Sequence, residues 1–182
     1  MFEKLDIIDE TDKRLRKKSK EVNFPLSEKD KVLIQRCIDE LTYSQIEEYE
    51  KMYNLRPGMG LAFPQLGINK RIIVIVHEVE EGTFDNYVFI NPKIVSYSEE
   101  MIAADAGEGC LSVNRDVDGH VPRYARVTVE GFDEDGKKIK VRAREELSIA
   151  FQHEIDHLNG ILFYDRISEE QPFFSDDEIR LI

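Results

Sequence analysis

Apolar positions along this chain recur at helical spacing near the start and near the end, and at strand spacing in between. Leu33, Ile34, Cys37, Ile38 and Leu41 form one stripe on a helix. Ser27, followed by Glu28, Lys29 and Asp30, supplies its start: a capping hydroxyl, then acidic residues at the positive end of the helix dipole. Pro57-Gly58-Met59-Gly60 closes this region as a loop. Residues 71–79 form an Ile/Val run typical of a buried strand, and 87–90 predict a second. The acidic, glycine-containing stretch 78–86 predicts a connection standing out into solvent. Residues 125–132 and 137–144 alternate apolar and polar around Asp133-Glu134-Asp135-Gly136, which predicts a hairpin with Gly136 supplying positive φ. A second helix is expected over 145–159. Glu145 and Glu146 suit its N-terminal end, Gly160 suits the position past its C-terminus, and Leu147, Ala150, Phe151, Ile155 and Leu158 make its core-facing stripe. A short strand is expected over 161–167. The fold class is α+β, with mostly antiparallel sheet packed around the second helix, and residues 1–182 are expected to form a single domain.

Composition narrows the partners. The 182 residues are 41% apolar and 34% charged, with a net charge of −12. That balance argues against broad nucleic-acid binding, which relies on neutralising phosphates, and no specific DNA contact is expected. The exception is residues 13–20, Lys-Arg-Leu-Arg-Lys-Lys-Ser-Lys, a basic run that reads as a solvated segment or a docking patch. Met1-Phe2-Glu3-Lys4-Leu5-Asp6 lacks the apolar core of a secretion signal, and the aliphatic run 72–76 is too short to cross a bilayer. The expectation is a cytoplasmic protein with no membrane contact and both cysteines, Cys37 and Cys110, reduced. Cys37 sits on the first helix stripe and reads as a small buried hydrophobe.

The chemistry-bearing stretch is His153-Glu154-Ile155-Asp156-His157. On an α-helix each residue advances about 100°, so the two histidines share a face and can bind one cation. Glu154, beside the first, is placed to take a proton from water at that cation. The bland alternative is a half-buried helix with two solvated histidines. A hydrolytic metal centre needs a third protein ligand. Downstream, Asp165 and Glu169 would complete a zincin-like peptidase; upstream, Glu108-Gly109-Cys110-Leu111-Ser112 offers a thiolate in a glycine-containing loop. Spacing leaves both open. A non-catalytic structural metal would require four closed ligands, and no fourth is obvious near these segments.

Three segments together resemble the signature motifs of the peptide deformylases: Gly58-Met59-Gly60-Leu61-Ala62-Phe63-Pro64-Gln65, Glu108-Gly109-Cys110-Leu111-Ser112, and Gln152-His153-Glu154-Ile155-Asp156-His157. Their order and separation agree, and the similarity runs over about 58–167. Val121-Pro122-Arg123-Tyr124-Ala125-Arg126 and Asn159-Gly160-Ile161-Leu162-Phe163 look like the longer, Gram-positive-like type 2 members. The resemblance implies that Cys110, His153 and His157 bind a divalent metal with water in the fourth position. It implies Fe²⁺ foremost, with Ni²⁺, Co²⁺ or Zn²⁺ able to substitute. Glu154 is then the general acid/base, and the Gln65 amide and Leu111 N–H stabilise the oxyanion. The implied substrates are N-formyl-Met nascent peptides, from which formate is released. Met59, Ile149 and Ala150 would take the methionine side chain, and Gly60 would leave room for an extended peptide backbone. Glu108 is expected to orient the site by pairing with Arg123. The sequence departs from the family pattern at Phe63, where a small residue is usual. It departs again in its short acidic end, Ser175-Asp176-Asp177-Glu178, where some members carry a basic helix used at the ribosome. Transient ribosome contact is a further expectation, and residues 13–20 are one candidate for it. His77 and His120 fall outside the motifs and are expected to be solvated.

Overall fold

The computed structural model describes residues 2–182. Ser27 caps α1 (Glu28–Ser44): its hydroxyl accepts from Asp30 N at 3.1 Å, and Ile34, Cys37 and Leu41 are buried as the stripe requires. Burial pushes the Cys37 thiol up to about 12, so it stays protonated and apolar.

Five antiparallel strands form the main sheet in the order β1 (Gly60–Ala62), β2 (Ile72–Glu80), β3 (Thr83–Tyr97), β6 (Arg126–Phe132) and β7 (Lys138–Arg144). β2 explains its own continuous Ile/Val run. Ile72, Val74 and Val76 pack towards α1, while Ile73 and Ile75 pack on the other face against α3 (Glu145–Leu158). The sheet is therefore the middle layer of three. A smaller sheet joins β4 (Met101–Ala103) to β5 (Arg123–Tyr124) antiparallel and to β8 (Arg180–Leu181) parallel.

α3 is buried at Leu147, Ser148 and every residue from Ala150 to Leu158, not along one stripe alone, and Ile149 is half-buried. Phe151 is fully enclosed, with the rings of Phe89 and Tyr87 meeting it edge-on at 5.3 and 5.7 Å. Gly160 follows the helix at φ 75°, and the Arg16 carbonyl lies where a Cβ would sit, so only glycine fits. Gly136 takes the positive φ expected of the β6–β7 turn.

Two expectations need correction. Residues 78–86 are not an unpaired excursion: β2 and β3 stay paired through His77–Asp85 and Glu78–Phe84, and only the tip at Glu81-Gly82 turns. The acidic composition marks exposure there, not absence of a ladder. Residues 161–167 form no strand; Phe163–Arg166 is a 3₁₀ turn whose Asp165 carboxylate accepts from Leu162 N at 2.9 Å. The sequence reading also passes over α2 (Glu47–Tyr53). It buries no residue and is held through Tyr43, Tyr49, Tyr53 and Phe2 rings 4.6–6.3 Å apart.

Because Phe151 carries the contact between α3 and the sheet, Phe151→Ala should lower stability by about 3–5 kcal/mol. The loss would be read as a reduced denaturant midpoint by circular dichroism. A shift equivalent to under about 1 kcal/mol would show that the layer closes without this ring.

Candidate metal centre and catalytic cleft

α3 places His153 and His157 one turn apart, ring centroids 5.1 Å from each other. The loop after β4 brings Cys110 to them, with its sulfur 3.3 Å from His157 Nε2. One ligand atom from each of the three residues lies within 4.8 Å of the others. In a tetrahedral site with metal–sulfur and metal–nitrogen bonds of ordinary length, a sulfur and a nitrogen stand about 3.5 Å apart. The donor set and spacing fit a divalent cation. Burial holds His157 well below the usual imidazole range, which keeps it neutral as a ligand must be. The alternative third ligands are not brought in: Asp165 is engaged with Arg16 and Leu162 N, and Glu169 is exposed at the surface.

His153 is oriented by a chain of buried charges. Its Nδ1 donates to Glu108 at 2.8 Å, leaving Nε2 free to act as a ligand. Arg123, 2% exposed, holds Glu108 through two bonds of 2.7 and 2.9 Å and Asp156 through one of 2.6 Å. Arg166 closes Asp156 from the solvent side at 2.5 and 2.6 Å. Burial alone would raise the Glu108 carboxyl, but Arg123 and His153 outweigh it and hold it down to about 2. The expected Glu108–Arg123 pair is thus present, and the links through Asp156 to Arg166 extend it.

Glu154 has the opposite environment. It is buried, its Oε2 has no hydrogen-bond partner among the described residues, and burial pushes its carboxyl up to about 7. Its side chain lies against Gly60, where an added Cβ would fall 2.8 Å from the carboxylate carbon. Gly60 is needed for Glu154 as well as for the open cleft. Gln65 Oε1 accepts from Ala62 N at 2.9 Å, which turns Nε2 toward Cys110 Sγ and Ser112 Oγ at 3.5 and 3.2 Å. A cleft of about 360 Å³ is lined by Met59, Gly60, Gln65, Cys110, Leu111, Ile149, Ala150, His153 and Glu154. His157 sits behind this wall. Cys110, His153, Glu154, Gln65, Leu111, Met59, Gly60, Ile149 and Ala150 therefore line one cleft, and His157 joins it through Cys110, while Asp165 and Glu169 lie elsewhere.

Several residues here went unselected. Arg56 clamps the Cys110 loop, donating to the carbonyls of Cys110 and Val113 at 3.2 and 3.1 Å and to Asn114 Oδ1 at 2.6 Å. Ser112 and Arg166 were also passed over, and Ile182 lines the cleft through the β4–β8 pairing. Their roles depend on chain crossings with no local signal. Gln152 is a scaffold residue: its amide bonds Tyr124 N and O at 3.0 and 2.9 Å and stitches α3 to β5. Phe63 is fully buried in the core between α1 and the sheet, so it replaces core packing and does not narrow the cleft. His120 corrects an expectation. It is buried, accepts from Phe174 N at 2.9 Å and lies edge-on to Phe173 at 5.3 Å. His77 is half-buried.

Comparison with known proteins gives one consistent answer. The sequence pattern of the family described as polypeptide deformylase matches residues 4–173. A peptide deformylase 2 of Geobacillus stearothermophilus is 49% identical over 92% of this chain and 91% of its own length. A peptide deformylase 2 of Bacillus cereus is 44% identical over 95% and 94%. Among solved structures, a plant peptide deformylase superposes with a TM-score of 0.75 at 31% identity, covering 91% of this chain and 82% of that one. A class I type b peptide deformylase from Acinetobacter baumannii, solved with Met-Ala-Ser bound, gives 0.72 at 27%, covering 92% and 100%.

Arg123 neutralises two interior carboxylates at once, so Arg123→Met should cost about 3–5 kcal/mol by leaving buried Glu108 with only the His153 imidazole and Asp156 with only Arg166. Thermal unfolding of the metal-loaded protein measures it. An unchanged melting temperature would mean that Arg166 suffices for Asp156 and His153 for Glu108.

Proposed function

The chain belongs to the polypeptide deformylase family, and on that footing we propose how its residues divide the work of hydrolysis. The enzyme removes the N-terminal formyl group from the formyl-methionine of newly made proteins and releases formate. The observation that carries the residue assignment is the convergence of one thiol, two imidazoles, an unpartnered carboxyl and a fixed amide on a single cleft.

Cys110, His153 and His157 are the residues that would hold the metal, with His153 kept in its ligating tautomer by Glu108. A divalent cation there would supply Lewis acidity, making water a competent nucleophile near neutral pH. Glu154 takes the proton from the attacking water and returns it to the departing amine. A buried carboxyl raised to about 7 is suited to both roles. Negative charge then grows on the formyl oxygen. Gln65 Nε2 and the Leu111 N–H donate to it, Gln65 in an orientation already set by Ala62 N. Met59, Ile149 and Ala150, which line the cleft, receive the methionine side chain. β1, which contains Gly60, is an edge strand, so an extended peptide can pair along it with little regard to later side chains.

The finer assignments are that the native ion is Fe²⁺, that the chain works as one cytoplasmic domain and that it contacts the ribosome transiently. Cys–His–His donors accept several cations, and Fe²⁺ is the ion whose oxidation would make activity depend on anaerobic handling. Among the described residues, no helix is long and apolar enough to cross a membrane.

In a formate-release assay on a formyl-Met peptide, Glu154→Ala should lose about 10²–10⁴-fold in turnover while retaining its metal. Retained turnover would remove Glu154 from proton transfer. Cys110→Ser should instead lose bound metal by elemental analysis; full metal content would move the third ligand elsewhere.

A further inference from the structure

On a chain of net charge −12, the outer face of the β6–β7 hairpin is cationic. Along β7, Lys138, Lys140, Arg142 and Arg144 are exposed, while Ile139, Val141 and Ala143 pack inward with α3. Alternate residues on a strand stand about 6.6–6.8 Å apart, so the four cations make a row about 20 Å long. Register places Arg126 directly across from Arg144 and Thr128 across from Arg142. Two grooves cross this face. One, of about 390 Å³, includes Tyr97, Arg126, Arg142 and Arg144; the other, of about 610 Å³, includes Lys93, Lys138 and Lys140. Counter-charge is incomplete. Glu100 takes Arg126 at 2.6 Å, Glu130 takes Lys140 at 2.7 Å and Glu21 stands 3.8 Å from Lys93. Among the described residues, no carboxylate lies within ion-pair distance of Lys138, Arg142 or Arg144.

Charges on an edge strand deter pairing with another sheet. That purpose needs neither a groove nor one arginine facing another, and Glu100 offsets Arg126 while, among the described residues, no carboxylate pairs with Arg144 opposite it. Tyr97 adds a second kind of contact. Its side chain is 64% exposed, and its ring is held flat on Tyr124 at 4.2 Å and 23°, at the wall of the arginine groove. A fixed ring beside guanidinium groups takes a base by stacking and its phosphates by charge.

We propose that this face binds single-stranded RNA, with Arg142 and Arg144 on the phosphates and Tyr97 under a base. Substrates that are chains still being synthesised put the enzyme beside RNA, given the activity proposed above. The basic run at residues 13–20 is a different surface, where Arg14 pairs with Asp12 and Arg16 with Asp165.

The test titrates the metal-loaded full chain against a short fluorescent oligouridylate over a range of salt, reading anisotropy. Binding should weaken with salt. The double variant R142S/R144S should bind at least about tenfold more weakly, with a log–log salt slope shallower by about 1.4, or ~0.7 per lost phosphate contact. Tyr97→Ser should weaken binding about tenfold with the slope unchanged. All variants should release formate from a short formyl-Met peptide at the parent rate, so failure of the RNA reading is separable from failure of the deformylase reading. No binding at low salt, or binding unaltered in R142S/R144S, overturns the proposal. So does equal or tighter binding to anionic phospholipid vesicles or to polyglutamate, which would assign the face to a membrane or an acidic protein.

Discussion

The ion pairs around Arg123 are the constraint on which the rest of the site depends. A guanidinium in the interior loses its hydration, and the attraction of one carboxylate seldom restores what is lost. Here two carboxylates share it, and each belongs to a different part of the site. Glu108 comes from the loop that carries Cys110; Asp156 comes from the helix that carries both histidines. Arg123, on β5, therefore ties the thiol-bearing loop to the imidazole-bearing helix through charge. The same Glu108 fixes the tautomer of His153. Geometry at the candidate ligands is in this way set by groups outside the Cys110–His153–His157 cluster.

The continuous burial of α3 from Ala150 to Leu158 follows from the same logic. A helix with His153, Glu154, Asp156 and His157 in its sequence is a poor candidate for a core, since each polar group must find a partner or pay in stability. Gln152 and Ser148 are satisfied by the Tyr124 backbone, and Asp156 by two arginines. Glu154 keeps an unpartnered oxygen next to the cleft. A buried carboxyl with an unpartnered oxygen is costly to the fold and suited to accepting a proton, which is why its position against Gly60 matters.

Strand alternation divides the β6–β7 hairpin in the same spirit. Its inward residues Val127, Val129, Ile139 and Val141 support α3, and its outward residues are free to vary in charge. A cationic outer face can thus be carried by strands whose inner face serves the catalytic helix. Phe63 illustrates the converse: a residue beside the Gln65 turn that belongs wholly to packing.

Periodicity and capping residues made α1, β2, the β6–β7 hairpin and α3 legible, because those signals act within a turn or two of the chain. α2 was illegible because its stability comes from rings contributed by α1 and the N-terminal segment. The apolar run at 161–167 satisfied a strand pattern, but Asp165 captured the Leu162 N–H and bent it into a 3₁₀ turn. The His-Glu-His spacing by itself determined a two-imidazole face with an acid beside it. Only the tertiary structure decided between Cys110 and the downstream carboxylates, since Cys110 lies 47 positions from His157 in sequence and 3.3 Å away in space. Donor chemistry is a property of side chains, whereas coordination requires atoms within a few ångströms, and only the folded chain fixes such distances.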